Sequence, residues 1–296
     1  MSVPASHRSA NWIQGCLLVL PAAVLLAWFT HWPVVASLID SVHLTPRRGG
    51  AAAFVGLEQY ARLLGDPVFH KVLRNNLMFA LGTIPCSIAL AMVMAVWVNG
   101  RIRGRSALRL AYFTPTILPM IAAANIWLFF YTPDYGLLDQ ITGLFGAGRT
   151  NWLGDPDKVL WAIVAMTVWK EAGFFMIFYL AALQQLSPDL VEAAEIDGAG
   201  RWYFFRRVTL PLLMPTTLFV LVNAVINSFK LVDHIVVMTK GGPDNASSLI
   251  LYYIYETAFS FWDTGYAAAL TVVLIAMLAA MALLQFGLLE RRIHYR

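Results

Sequence analysis

Residues 73–98 read LRNNLMFALGTIPCSIALAMVMAVWV, an apolar stretch whose single charged residue is Arg74. A helix needs about 20 mostly apolar residues to cross the hydrocarbon core of a bilayer. Backbone groups inside lipid must be hydrogen-bonded within the segment, and a helix satisfies that condition. Residues 73–98 therefore predict a membrane-spanning helix.

The rest of the chain repeats this pattern. Of its 296 residues, 59% are hydrophobic and 13% are charged, against roughly 25% charged in a typical soluble domain. This composition excludes a disordered chain, a fibrous repeat and an ordinary soluble enzyme. We predict an all-α, polytopic membrane protein, with residues 1–296 forming one transmembrane domain. Its six predicted spans are residues 12–39, 73–98, 108–131, 159–183, 208–238 and 266–289.

The basic residues predict the orientation of these spans. With six spans both termini lie on one side, and that side holds eleven Lys and Arg residues, against eight in the longer loops opposite. The acidic residues show the reverse distribution, with five on the side of the termini and ten opposite. Because cytoplasmic loops carry an excess of Lys and Arg, we predict that both termini are cytoplasmic.

Signatures of catalysis and metal binding are absent from the sequence. No Gly-Lys pair occurs, which excludes a Walker A phosphate loop, and the six histidines lack ligand spacing. The two cysteines, Cys16 and Cys86, form no metal or redox motif. We predict no catalytic residue and no metal site, so energy for work against a gradient must come from another chain or from an ion gradient.

One loop on the side of the termini has a helical pattern of its own. Residues 184–207 read QQLSPDLVEAAEIDGAGRWYFFRR. Ser187 is a good N-cap, Pro188 suits the first helical position and Gly198 suits the C-terminal end, which predicts a helix over residues 188–197. Its acidic start disfavours binding to anionic lipid, and its alanine-rich stripe allows close contact with a protein groove. We therefore favour a docking helix for a cytoplasmic partner over a helix lying on the membrane surface.

This loop resembles the EAA loop of ABC importer permeases. The resemblance rests on Glu192-Ala193-Ala194 followed by Asp197-Gly198-Ala199, with Leu210-Pro211 closing the segment. In that family the loop forms the coupling helices that fit a cleft of the cytoplasmic ATPase. The resemblance implies that seven residues couple this chain to the ATPase, namely Glu192, Ala193, Ala194, Asp197, Gly198, Ala199 and Gly200.

Further motifs are similar to the carbohydrate-uptake branch of this family, and to its MalF/UgpA-like first permease subunit. They include Phe113-Thr114-Pro115, the turn Thr239-Lys240-Gly241-Gly242-Pro243 and residues 255–269. The resemblance implies a six-span, MetI-like fold in the bacterial cytoplasmic (inner) membrane, importing a carbohydrate or glycerol-3-phosphate-type solute. The implied partners are membrane lipid, a second homologous permease, two ATP-binding cassette subunits and an extracytoplasmic solute-binding protein that faces residues 54–70 and 241–262. ATP and Mg would lie on the ATPase, with no cofactor on this chain and no nucleic-acid partner.

Polar residues inside the predicted spans are candidates for a solute pathway, because charges in lipid are costly. The charged residues are Lys170, Glu171, Lys230 and Asp233. Lys230 and Asp233 are three residues apart and can pair on one helix face, so packing salt bridges are the alternative. The pathway residues that we predict are Trp127, Trp169, Asn223, Asn227, Lys230 and Asp233.

Two other function classes are weighed against an ABC permease. An ion-gradient-driven secondary transporter for a small polar solute would show inverted repeats with broken helices, and the sequence shows no such repeat. A membrane-embedded enzyme would have only Glu171, Asp233 and His234 as candidate catalytic residues, and these residues are scattered along the sequence.

Overall fold

The computed structural model describes residues 5–45, 52–100, 102–146 and 150–289. These residues are mostly helical, and their only β pairing is an isolated bridge between His43 and Phe54. The predicted all-α class is confirmed.

Five helices or near-continuous helix pairs in the described residues are long and apolar enough to cross a membrane. They coincide with five of the six predicted spans. Their bounds are Gln14–Asp40, Pro67–Asn99, Val159–Gln184, Met214–Met238 and Thr264–Gln285.

The third predicted span, residues 108–131, is built from two helices. Helices α5 (Arg105–Ile117) and α6 (Met120–Phe130) meet at an angle of 101°. Pro119, between them, has no N–H group and cannot continue the hydrogen bonding of α5. The chain therefore has six candidate spans when this bent pair counts as one crossing.

The chain divides into two compact units, one of them formed by residues 1–65 and 254–275. In this unit Asp263 accepts hydrogen bonds from Arg62 (2.6 Å) and Thr45 (2.9 Å). Its helical elements are α1 (Ala5–Leu26), a π-helical turn (Ala27–His31), α2 (Trp32–Asp40), α3 (Glu58–Gly65), a second π-helical turn (Glu256–Ser260) and the first part of α15 (Thr264–Leu289).

The second unit comprises residues 66–253 and 276–296. Two long helices, α4 (Pro67–Asn99) and α8 (Val159–Gln184), run through it side by side. Gly82 of α4 faces Trp161 near the start of α8. Towards the far ends of both helices, the shared core contains Ala91, Ala95, Val98, Phe175, Met176, Tyr179 and Leu183. The two helices are therefore parallel.

The chain returns between these two helices through the bent pair. Gly173 of α8 lies directly against Tyr112 of α5. The hydroxyl of Tyr131, just after α6, donates to the carbonyl of Ala162 in the first turn of α8 (2.7 Å). Helix α5 thus packs against the middle of α8, and the residue after α6 reaches the first turn of α8, so the bent pair returns the chain toward the start of α8.

The fifth span also runs antiparallel to α8. It consists of α12 (Met214–Lys230) and α13 (Asp233–Met238). The Tyr179 hydroxyl donates to Thr217 at 3.2 Å, close to the start of α12. Farther along, Ile235 packs with Val159.

Shorter elements connect the spans at the two ends of this unit. At the end where α8 terminates are α9 (Pro188–Ile196), α10 (Arg201–Phe204), a π-helical turn (Phe205–Thr209) and α11 (Leu210–Leu212). The elements at the opposite end are α7 (Leu137–Leu144) and α14 (Ile250–Tyr255). Arg103 and Arg105, which follow α4, lie at the same end of this unit as Arg201, Arg206 and Arg207, which follow α9.

Candidate functional site

The helix predicted in the loop after α8 is present as α9, one residue shorter than predicted. The Ser187 hydroxyl oxygen accepts a hydrogen bond from the backbone N–H of Asp189 at 3.3 Å. Pro188 occupies the first helical position, where its missing N–H costs nothing. The sequence thus starts α9 by local chemistry alone.

Gly198 ends α9 as predicted. Its φ of +69° is left-handed, a conformation that glycine adopts without steric cost. The next N–H, that of Ala199, donates back to the carbonyl of Ala194 at 2.9 Å. This pairing is the Schellman arrangement, which satisfies an otherwise unpaired helix carbonyl. A Cβ at Gly198 would meet nothing within 4 Å, so only its backbone conformation requires glycine.

The turn at Gly198 folds α9 and α10 around an open groove of about 710 Å³. Six of the seven predicted coupling residues line the groove, and the seventh, Glu192, is exposed on α9. Tyr203 and Phe204, which were not among the predicted coupling residues, also line the groove. The sequence signal for these two residues was their position shortly after Gly200, between Arg201 and Arg206.

Charges of both signs lie beside this groove, and of these Asp197 is the one that lines it. The α9 side carries Asp189, Glu192 and Asp197, whereas Arg206 and Arg207 follow α10. Within the described residues, neither Glu192 nor Asp197 forms a salt bridge. A shallow, alanine-floored groove with exposed charges is suited to a protein partner, because small side chains permit close backbone approach.

The predicted pathway residues fall into three groups. Trp127 and Trp169 are brought together, with ring centroids 5.6 Å apart in an edge-to-face arrangement. The indole N–H of Trp127 is buried and has no hydrogen-bond partner among the described residues. These two rings, from α6 and α8, pack against an apolar cluster that includes Ala123, Ala124 and Met166.

The asparagines of α12 form the second group. The Asn227 side chain donates to the carboxylate of Glu171 on α8 at 3.1 Å. Asn223 donates to the carbonyl of Phe219 in its own helix at 2.8 Å. The sequence marked Glu171 as an intramembrane charge but did not identify its partner, because the two residues are 56 positions apart.

Lys230 and Asp233 form the third group, and the ion pair that the sequence allows between them is not present. Helix α12 ends at Lys230, Leu231 is extended and α13 begins at Asp233. The pairing required an unbroken helix turn, which the extended residue interrupts. Both side chains are exposed, and neither forms a salt bridge within the described residues.

The turn Thr239–Pro243 follows α13, at the end of the fifth span away from the coupling loop, and its conformation is tightly constrained. Gly241 has a φ of +77°, and a Cβ there would come within 2.7 Å of the Tyr252 ring. Lys71 pairs with the Asp244 carboxylate at 2.8 Å. The hydrogen bond and the positive charge of Lys71 hold the pKa of Asp244 below its usual range.

Metal ligands do not cluster in the described part of the chain, where no group of three His, Cys, Asp or Glu residues could hold an ion. The candidate sites are the α9–α10 groove and the polar and aromatic residues along α6, α8 and α12.

Known proteins are similar to this chain in sequence and in fold. The chain is 32% identical to the sn-glycerol-3-phosphate transport system permease protein UgpA of Agrobacterium fabrum, over 96% of this chain and 97% of that one. It is also 32% identical to the sulfoquinovosyl glycerol transport system permease protein SmoG of the same organism, over 90% and 86%. A chain of a bacterial alginate ABC transporter, crystallised with an alginate-bound periplasmic protein, matches the fold with a TM-score of 0.85 at 21% identity, over 97% of this chain and 96% of that one.

The family model for binding-protein-dependent transport system inner membrane components matches residues 87–295. This range contains the α9–α10 groove, the paired tryptophans and the fifth span. Together with the relatives above, it confirms the resemblance found in the sequence: the chain belongs to the family of binding-protein-dependent transport system inner membrane components, the permeases of ABC importers.

Proposed function

We propose that this chain imports a carbohydrate or glycerol-3-phosphate-type solute, and that a cytoplasmic ATPase drives it through the α9–α10 groove. The observation that carries the proposal is the groove itself, in which six of the seven coupling residues lie together at an exposed turn. The solute class is supported by relatives named for sn-glycerol-3-phosphate and sulfoquinovosyl glycerol transport. This chain makes and breaks no covalent bond.

The mechanism follows from how α9 is connected. The coupling loop is continuous with α8 on one side and with the fifth span on the other. When the ATPase subunits close on ATP, the partner seated on α9 moves the ends of both helices. Packed helices respond as rigid bodies, so this movement changes which end of the pathway is open.

The proposed assembly contains this permease, a second homologous permease, two ATP-binding cassette subunits and an extracytoplasmic solute-binding protein. ATP and Mg bind to the cassette subunits. The assembly lies in the bacterial cytoplasmic membrane with both termini of this chain in the cytoplasm. The binding protein would contact the end that carries the Thr239–Pro243 turn, away from the ATPase.

Along the proposed pathway, Trp127 and Trp169 would stack on the apolar faces of a sugar or polyol. Asn223 and Asn227 offer amide groups for hydroxyls. Lys230 is exposed and would attract a phosphate-bearing solute, with Asp233 three residues away limiting that attraction.

Charge reversal at Glu192 tests the ATPase site. We expect Glu192→Lys to lose the ATPase subunit on affinity purification of the membrane complex, because the partner's surface would meet a cation where it accommodates an anion. The control is Asp157→Lys, the same charge change at an exposed residue before α8. Normal recovery of the ATPase with Glu192→Lys, measured by quantitative immunoblot, would contradict the proposed site.

A further inference from the structure

The break in the third span leaves carbonyl groups without helical partners. The last four carbonyls of a helix have no N–H four residues ahead to accept from, and α5 ends in a region predicted to lie in lipid. Water is scarce there, so such groups must be satisfied by other protein groups.

Lys170 of α8 supplies the missing donors. Its ammonium donates to the carbonyl of Pro115 at 3.1 Å and to the carbonyl of Leu118 at 2.5 Å. In return, the Thr116 hydroxyl donates to the backbone carbonyl of Lys170 at 3.2 Å. A cation at the C-terminal end of a helix also interacts favourably with the helix dipole. The end of α5 is thereby fixed to one residue of α8.

The neighbouring backbone contact leaves α5 little freedom to slide along α8. A Cβ at Gly173 would overlap the carbonyl oxygen of Tyr112. The two helices therefore touch backbone to backbone less than one turn from Lys170. The break at residues 118 and 119 therefore lies at a fixed position along α8, beside Lys170.

The next residue, Glu171, connects the same point of α8 to the fifth span. It is 9% exposed, and its carboxylate accepts from Asn227 of α12 at 3.1 Å. A second hydrogen bond, from Tyr179 to Thr217 at 3.2 Å, joins the two helices closer to the coupling loop. Helices α8 and α12, which flank the coupling loop, are thus joined by two hydrogen bonds. The bond farther from the loop involves Glu171, the neighbour of Lys170, which holds the end of α5.

We propose that Lys170 is a positioning residue that transmits movement of the coupling loop to the break between α5 and α6. The inference rests on the proposed function, because the movement originates at the ATPase. In this arrangement α8 and α12 move together, and the two carbonyl contacts of Lys170 carry α5 and the start of α6 with them. The bent third span then changes its angle when nucleotide binds.

The test measures the response of α6 to nucleotide. Ile121, exposed on α6 just beyond the break, is replaced by cysteine in a chain whose Cys16 and Cys86 are changed to serine. The complex with the ATPase is reconstituted in liposomes. The rate of maleimide labelling at position 121 is measured with and without a non-hydrolysable ATP analogue.

In the parent complex we expect the analogue to change the labelling rate. With Lys170→Met, we expect that change to fall by about tenfold, since two hydrogen bonds to a charged donor are lost. Lys170→Arg can donate to both carbonyls and should restore the response. If Lys170 only stabilised the fold, the nucleotide response of Lys170→Met would not fall selectively in a complex that still assembles. The matched control is Lys158→Met, because Lys158 precedes the same helix and pairs with Asp155 in the loop before it.

A nucleotide response in Lys170→Met equal to that of the parent would overturn the inference and leave the proposed function intact. Should Lys170→Met not assemble with the ATPase, Asn227→Leu removes the link to α12 and must weaken the response for the inference to stand. Absence of any response in the parent complex, with the ATP analogue bound to the ATPase, would count against the inference. Failure of the proposed function shows separately, as a parent chain that retains no ATPase on purification.

Discussion

Replacement of Gly198 by valine is expected to abolish solute import while leaving the chain in the membrane. The residue has a φ of +69°, and a β-branched residue in this region is strained by about 1–3 kcal/mol. The strain is relieved by unwinding the turn, which breaks the hydrogen bond from Ala199 to Ala194 and separates α9 from α10. We expect binding-protein-stimulated ATP hydrolysis, measured in proteoliposomes, to fall to the basal rate.

Gly104 provides the matched control for this variant. It also lies in a loop on the predicted cytoplasmic side and has a φ of +79°. A Cβ at Gly104 would have no neighbouring atom within 4 Å. Gly104→Val therefore introduces similar strain outside the coupling loop and should retain stimulation. Equal loss in both variants would show that backbone strain alone, and not the α9–α10 groove, accounts for the effect.

Gly173→Val is expected to prevent the chain from folding correctly. The valine Cβ would overlap the Tyr112 carbonyl oxygen and lie 3.1 Å from the Thr116 hydroxyl. Backbone atoms cannot move aside as a flexible side chain can, so α5 must separate from α8, at a cost of about 3 kcal/mol or more. Fluorescence-detected size-exclusion chromatography should show a loss of the monodisperse peak, with a lower unfolding temperature for any residual protein.

The control for Gly173 is another glycine in a membrane helix. Gly15 of α1 has no atom within 4 Å of its ideal Cβ position, so Gly15→Val should behave like the parent chain. A monodisperse Gly173→Val protein with an unchanged unfolding temperature would contradict the close packing of α5 on α8.

Much of the architecture could be predicted because it depends on local chemistry. Five spans follow from runs of apolar residues, which need no knowledge of their neighbours. Helix α9 follows from Ser187, Pro188 and Gly198, each acting on backbone groups within a few residues. The sequence therefore predicted the five spans and the position of α9 correctly.

The remaining features depend on contacts between distant residues. The third span is predicted as residues 108–131, and the hydropathy pattern that predicts it carries no information about the 101° bend between α5 and α6. The partners of Lys170 lie more than 50 positions away in sequence, and helix periodicity carries no information about them. Lys230 and Asp233 do not pair because their spacing places them on one face only in an unbroken helix, and the extended Leu231 ends α12 between them.

The central claim is that the α9–α10 groove receives the ATPase, and chemical cross-linking tests it most directly. Ala193, exposed on α9, is replaced by cysteine in the chain without Cys16 and Cys86, and membranes are treated with a short thiol–amine cross-linker. We predict a cross-link between this chain and the ATPase subunit that depends on nucleotide, whereas Asn245→Cys at the opposite end forms none. Cross-linking of the ATPase from position 245 but not from position 193 would contradict the account.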